Sequence, residues 1–201
     1  KDGKENATDV SSSYDLFSNL REILKENHVD NDFNRLIGGL VGFISYDIVR
    51  CWEDISDNYT KRTYADFQFG LFNEGIIFDH ERNKSYYYYS GQNNLEEILE
   101  LLNLQREIGT IDYTEPTSNI DKEKFEKKVD VAKEYVRSGD IFQVVLSRKY
   151  EFEITGDLLS IYKALRTINP SPYMYYYKTK NVNIIGSSPE MLVRVTGNQI
   201  E

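Results

Sequence analysis

The glutamine at position 143 is the first residue whose type and place could serve chemistry. It lies between Phe142 and Val144 in a run that is otherwise apolar. A buried amide that lacks hydrogen-bond partners costs roughly 1–3 kcal/mol. Gln143 is therefore either a group that lines a pocket or, because strands alternate, a residue that faces solvent. The residues alone leave both interpretations open.

Two short motifs near the end of the sequence combine a restricted backbone with polar side chains. Asn169-Pro170-Ser171-Pro172 contains two prolines, which fix φ and donate no hydrogen bond. Gly186-Ser187-Ser188-Pro189-Glu190 places small polar residues before a carboxylate. Both motifs are candidates for a binding site. Both are also typical of turns, with Tyr173 and Met174 packed in the core and Glu190 at the surface.

Several classes of site are excluded by the residue content. The single cysteine, Cys51, cannot form an internal disulfide, and the histidines, His28 and His80, give no zinc-ligand spacing. We interpret Cys51 as inert and the compartment as the reducing cytoplasm. The glycines at 38, 39 and 42 lack the spacing of a phosphate-binding loop.

Charge and hydropathy argue against nucleic acid and membrane as partners. The chain has 33 acidic and 24 basic residues, a net charge of −9, and no long Lys/Arg run. No stretch approaches about 18 consecutive apolar residues, so no transmembrane span is expected. The chain begins with Lys1 rather than Met. We therefore expect a fragment, or a chain whose start has been removed.

The elements that must position these residues follow from periodicity and from cap signals. A helix is predicted over 12–27, opened by serines, with this apolar face: Leu16, Phe17, Leu20, Ile23 and Leu24. The glycine-rich run 38–46 predicts an unusual strand, whose backbone either approaches a neighbour closely or bulges. Strands at 76–79 and 85–89 predict a hairpin, and Asn94 is expected to cap the next helix.

The second half has sharper signals. Residues 103–119 lose periodicity and are predicted to be a linker. Asp121 and Gly139 bound a predicted helix, and Asp157 caps another. Strands are predicted at these positions: 141–146, 173–178, 182–186 and 191–195. Short strands with tight turns and occasional helices predict an α+β fold with antiparallel sheets.

Several segments, in order, resemble one family. Gly38-Gly39-Leu40-Val41-Gly42-Phe43-Ile44-Ser45-Tyr46-Asp47-Ile48-Val49-Arg50 is similar to a segment of the large subunits of anthranilate synthase. Ser138-Gly139-Asp140-Ile141-Phe142-Gln143-Val144-Val145-Leu146-Ser147 resembles the opening of their chorismate-binding domain. Asn169-Pro170-Ser171-Pro172-Tyr173-Met174 and Gly186-Ser187-Ser188-Pro189-Glu190 follow at the family's spacing. The resemblance implies an N-terminal region over 1–118 and a truncated chorismate-binding domain over 119–201.

The resemblance also implies an activity. Members of the family convert chorismate and ammonia to anthranilate and pyruvate with Mg²⁺, and a glutaminase subunit supplies the ammonia. Their fold is two-lobed, with antiparallel sheets packed face to face under outer helices. The Mg²⁺ ligands and the general acid/base residue are expected beyond Glu201, so this chain alone is expected to be inactive.

The resemblance gives roles to a few residues of this chain. Related isochorismate- and salicylate-forming enzymes carry a lysine base where this chain has Gln143. Glutamine cannot serve as a base, which favours amination, and Gln143 becomes a candidate pocket-lining group. Pro172, Tyr173 and Met174 resemble the segment that contacts tryptophan in feedback-inhibited members. The family's leucine-leucine-glutamate-serine element, another side of that site, is absent from the sequence.

Two alternatives stay open at this stage. The large subunit of aminodeoxychorismate synthase, which serves folate synthesis, also aminates chorismate and shares the glutamine. The residue that separates the two enzymes in the family follows Glu201. The second alternative is a non-catalytic module that binds tryptophan or the glutaminase partner.

Overall fold

The computed structural model of the chain describes residues 7, 13–28, 37–55 and 64–201. The chain divides into two compact units, Lys1–Gln105 and Arg106–Glu201. Helices and antiparallel strand pairs occur in both units, which confirms the predicted α+β class. Within the described ranges, no helix is both long and apolar enough to cross a membrane.

The first unit is built from two helices, a 3-10 helix and four strands in its described part. In chain order these are α1 (Ser13–Glu26), β1 (Gly39–Ile44), the 3-10 helix (Tyr46–Cys51), β2 (Phe67–Phe72), β3 (Glu74–Asp79), β4 (Lys84–Tyr89) and α2 (Leu95–Asn103). The predicted first helix and the predicted hairpin of β3 and β4 are confirmed. Ser12, expected to open that helix, lies outside the described residues.

β2 was not predicted, and it explains the architecture of the first unit. β2 and β3 are separated only by Asn73, so they form one extended segment that is interrupted once. β1 pairs antiparallel with the first half of this segment and β4 with the second half. The buried apolar side chains in the described part of the first unit are Leu16 of α1, which is 1% exposed, and Ile48 of the 3-10 helix.

The glycines in and just before β1 allow its backbone to approach β2 closely, which is one of the two explanations that the sequence offers. Gly42 pairs with Phe69, and a Cβ built on Gly42 would lie 2.0 Å from the carbonyl oxygen of Gln68. Gly38 has φ +92°, and a Cβ there would lie 2.1 Å from the carbonyl oxygen of Phe72. A side chain at either position would collide with the backbone of β2.

The second unit consists of short strands and two helices. In chain order these are β5 (Ile111–Tyr113), β6 (Thr117–Ser118), α3 (Lys122–Ser138), β7 (Tyr150–Glu151), β8 (Ile154–Gly156), α4 (Leu159–Ile168), β9 (Tyr173–Lys178), β10 (Asn183–Ser188), β11 (Val195–Thr196) and β12 (Gln199–Ile200). β5 pairs with β8 and β6 with β7. The segment predicted as a linker therefore holds two strands that belong to this unit.

Both helices of the second unit begin beside an acidic residue that the sequence predicts as a cap. Asp121 is the N-cap of α3, whereas Leu158 stands at the N-cap of α4, one residue after Asp157. Asp121 Oδ1 accepts a hydrogen bond of 2.8 Å from the Lys124 N–H, and Gly139, with φ 83°, ends α3. Asp157 Oδ1 accepts from the Leu159 N–H at the start of α4, at 3.1 Å. Its other oxygen accepts from Arg106 Nη2 at 3.0 Å, which attaches the start of the unit to α4.

Two strand predictions in this unit are wrong. Residues 141–146 have no regular secondary structure, because no strand of the described chain pairs with them. An apolar, β-branched run becomes a strand only where a partner satisfies its backbone groups. Residues 191–194 are also irregular, and Val195 begins β11. The two-residue strands β11 and β12 pair with each other across a turn that contains Gly197.

Candidate functional site

The hairpin of β9 and β10 brings the two proline-containing motifs together. α4 ends at Ile168, and the Asn169 N–H still donates to the Leu165 carbonyl at 2.9 Å. Pro170 and Pro172 have no N–H to extend the helix, so the chain leaves it and enters β9 at Tyr173. β9 has the bounds that the sequence predicts.

The register of the hairpin places the motifs side by side. Ser188 lies opposite Tyr173, Ser187 opposite Met174 and Gly186 opposite Tyr175. Because side chains alternate along a strand, Met174 and Ser187 share one face, and Tyr173 and Ser188 share the other. Sequence analysis treated the two motifs as separate candidates, and the structure places them side by side in one hairpin.

The Met174 face of the hairpin packs against α4. Tyr176, two residues along β9, stacks on Tyr162 of α4 with ring centroids 6.4 Å apart. Met174 is half-buried on this face. Ser187 Oγ donates a hydrogen bond of 2.6 Å to the carbonyl oxygen of Asn169, just beyond the end of α4.

The opposite face carries the more exposed aromatic rings. Tyr173 is 41% exposed, and the ring of Tyr175 lies across Gly186. A Cβ on Gly186 would lie 2.2 Å from Tyr175 Cζ, so the missing side chain at 186 makes room for this ring. Burial raises the pKa of Tyr177, the next residue on this face. Pro172 is exposed where the chain enters the hairpin.

Gln143 lies apart from this hairpin in its interactions. It is exposed in the irregular segment 141–149, beside Phe142, which is 99% exposed. Within the described structure, no hydrogen bond, ion pair or ring contact joins Gln143 to β9 or β10. An apolar groove of about 350 Å³ lies between α3 and this segment, with these lining residues: Lys127, Lys128, Val131, Ala132, Tyr135, Ile141, Val144 and Leu146. Gln143 does not line it.

A polar cluster in the first unit was missed by sequence analysis. The Tyr87 hydroxyl donates to Glu74 Oε1 at 2.6 Å, and Asn94 Nδ2 donates to both Glu74 oxygens at 3.0 and 3.1 Å. Burial, followed by the bond to Glu74, raises the pKa of Tyr87. Asn94 is the N-cap residue of α2, as predicted, but its side chain binds Glu74, and Asn93 Oδ1 accepts the Leu95 N–H. A carboxylate at the start of an apolar strand was the one signal for this cluster.

The acidic side chains of the described ranges do not gather into a metal site. No group of three or more His, Cys, Asp or Glu residues there could hold an ion. The acids are instead used in pairs and caps: Asp121 and Asp157 cap helices, and Glu201 pairs with Arg194. The described residues therefore give no reaction step through Mg²⁺.

Comparison with known proteins gives the family. The profile of the family described as chorismate binding enzyme matches residues 1–201. Anthranilate synthase component 1 of Methanothermobacter thermautotrophicus is 43% identical over 164 residues, which are 82% of this chain and 35% of that protein. The protein of the same name from Saccharolobus solfataricus is 41% identical over 167 residues, 82% of this chain and 37% of that protein.

A solved structure agrees with the sequence relatives. The crystal structure of anthranilate synthase component I from Streptococcus pneumoniae TIGR4 matches with a TM-score of 0.72 and 29% identity, over 90% of this chain and 46% of that one. The chain thus spans less than half the length of each of these proteins. With the whole chain matched by one family profile, and with its fold shared by a solved member, the chain belongs to the chorismate binding enzyme family.

Proposed function

We propose that this chain is part of the large subunit of an anthranilate synthase, which converts chorismate and ammonia to anthranilate and pyruvate. The observation that supports this most directly is the similarity to relatives named anthranilate synthase component 1 over most of this chain. In the proposal the complete protein is cytoplasmic, serves tryptophan biosynthesis and receives ammonia from a glutaminase subunit.

The residue at position 143 supports amination of chorismate over hydroxylation. A neutral glutamine amide cannot take a proton from water, whereas neutral ammonia is already a nucleophile and needs no base. We propose that Gln143 lines the chorismate pocket in the complete protein. Its exposure here leaves the amide free of competing interactions among the described residues.

Mg²⁺ enters the proposal only through residues outside this chain. We place its ligands beyond Glu201, where the resemblance puts the family's glutamates. When bound, the ion would neutralise a carboxylate of chorismate, which carries two. The contribution of this chain is to bind and orient, through the pocket segment at 143 and the hairpin.

We propose further that tryptophan inhibits the complete protein by contact with Pro172, Tyr173 and Met174. The hairpin supports this for Pro172 and Tyr173, which are exposed at the point where the rigid proline segment enters β9. The half-buried Met174 side chain lies on the opposite, α4 face, so its contact rests on the family resemblance. A segment whose φ angles are already fixed loses little conformational entropy on binding.

Product analysis of the complete protein tests the proposal. The protein is incubated with chorismate, ammonium and Mg²⁺, and the products are separated by chromatography with fluorescence detection. Anthranilate as the main product supports the proposal, whereas isochorismate or aminodeoxychorismate would refute it. Gln143→Ala should lower kcat/KM for chorismate, and Gln105→Ala, an equally exposed glutamine, should not.

A further inference from the structure

Ser187 lies beside both ends of the segment that contains the two prolines. Its backbone lies opposite Met174 in the β9–β10 register. Its hydroxyl donates to the Asn169 carbonyl at 2.6 Å, a short hydrogen bond between residues 18 positions apart in sequence. Residues 169–174 therefore leave α4 with their first carbonyl bound to Ser187 and enter β9 with Met174 opposite the same serine.

Apart from the φ angles that its two prolines fix, the rest of the segment has few restraints. Pro170 and Pro172 donate no hydrogen bond, and Ser171 has no partner in the described structure apart from its chain neighbours. The direction in which the chain leaves α4 is thus set by the Asn169 carbonyl and its partner. Without the Ser187 hydroxyl, this carbonyl would turn to water, and the entry into β9 would gain freedom.

We propose that Ser187 is a positioning residue for inhibitor binding: its hydroxyl fixes residues 169–174 so that Pro172 and Tyr173 meet the indole ring of the inhibitor in a set geometry. This rests on the proposed function. Ser187 does not touch the inhibitor. Its hydroxyl is bound to the Asn169 carbonyl, on the α4 face of the hairpin that Ser187 shares with Met174, whereas the exposed Tyr173 lies on the other face.

The neighbouring serine provides a matched control. The Ser188 hydroxyl donates to the Glu190 carbonyl at 3.1 Å, two residues away, and bridges no other element. Ser187→Ala and Ser188→Ala therefore remove the same atom from adjacent positions of one strand. Ser187→Thr keeps the hydroxyl and suits a strand, so it serves as the rescue variant.

The experiment compares these variants in the complete protein. The first measurement is amide hydrogen exchange of the peptide that covers residues 171–174, without any ligand. The second is the tryptophan inhibition constant together with KM for chorismate. One net hydrogen bond corresponds to about a fivefold change, so Ser187→Ala should exchange about fivefold faster and bind tryptophan about fivefold more weakly, with a smaller change in KM. Ser187→Thr should resemble the wild type in both measurements, and Ser188→Ala should resemble it in the exchange measurement.

The two measurements separate this inference from the proposed function. Unchanged exchange in Ser187→Ala overturns the inference, whatever tryptophan does. Faster exchange with an unchanged inhibition constant also overturns it, because the fixed segment would then not matter for binding. If the wild type is not inhibited by tryptophan, both the proposed regulation and the inhibitor role of Ser187 fail. The ligand-free exchange data would still show whether the serine holds the segment.

Discussion

Gly42→Ala tests whether close backbone approach is the reason for glycine in β1. A methyl group at this position would lie 2.0 Å from the Gln68 carbonyl oxygen and 2.7 Å from Phe69 Cα, and ordinary contact begins near 3.4 Å. Both atoms belong to the backbone of β2 and cannot rotate away. β1 and β2 would have to separate by roughly an ångström, which weakens the hydrogen bonds around the Gly42–Phe69 pair.

The expected cost follows from two opposing effects. Forcing a methyl group into filled space costs typically 1–3 kcal/mol, and alanine recovers less than about 1 kcal/mol by restricting the unfolded chain. We expect a net loss of about 2 kcal/mol, or a fall in Tm of roughly 4–8 °C for a protein of this size. Thermal unfolding followed by circular dichroism measures it, and amide exchange should show the opening localised to β1 and β2.

Gly70→Ala is the control. Gly70 lies opposite Val41 in the same strand pair, but its added methyl group would meet the ring of Phe72, at 2.7 Å, rather than backbone. The ring is partly exposed and can move. This variant should stay within about 1 kcal/mol of the wild type. Equal losses in the two variants would refute the argument that backbone approach sets the glycine at 42.

Three further predictions concern inhibition, pH and activity. Pro172→Ala and Met174→Thr should weaken tryptophan inhibition of the complete protein about tenfold, since losing about 1.4 kcal/mol of contact is a tenfold change. Met174→Thr should also lower Tm, because Met174 is half-buried against α4. Unaltered inhibition constants would show that the site lies elsewhere. The hydrogen bond from the Lys124 N–H lowers the pKa of Asp121, so the carboxylate stabilises α3 fully above pH 3.8 and loses that effect as the pH falls through the lowered pKa. Amide exchange of the first turn of α3, measured against pH, should therefore become faster at acid pH. In Asp121→Asn this pH dependence should be absent. The 201-residue chain alone should form no product from chorismate, ammonium and Mg²⁺, and Mg²⁺-dependent product above background would contradict this.

Local signals predicted the elements that local physics determines. Asp121 and Gly139 bound α3 because a cap carboxylate and a left-handed glycine act within one turn of the helix. β9 was predicted at its observed bounds, since prolines before it and a polar turn after it limit its length. Residues 172–174 were therefore placed correctly at the entry of a strand.

Predictions failed where the local structure depends on pairing with residues that are distant in sequence. Residues 141–146 have the composition of a strand but no partner among the described residues, so Gln143 lies in irregular, exposed chain. β5 and β6 lie in a segment without periodicity and form only because β8 and β7 pair with them. The polar cluster on Glu74 has the same origin, because Tyr87 and Asn94 reach it only after the β3–β4 register is set.

The proposed inhibitor surface depends on register in the same way. Thr179 and Val182 close the β9–β10 turn, with the Thr179 N–H donating to the Val182 carbonyl at 2.8 Å and the Val182 N–H to Thr179 Oγ1 at 3.0 Å. This turn places Gly186 opposite Tyr175. A slip of one residue would set Tyr175 against a residue with a side chain and would move Ser187 away from Met174. The turn at 179–182 therefore sets the geometry of Pro172 and Tyr173 from the far end of the hairpin, which neither proline-containing motif reveals by itself.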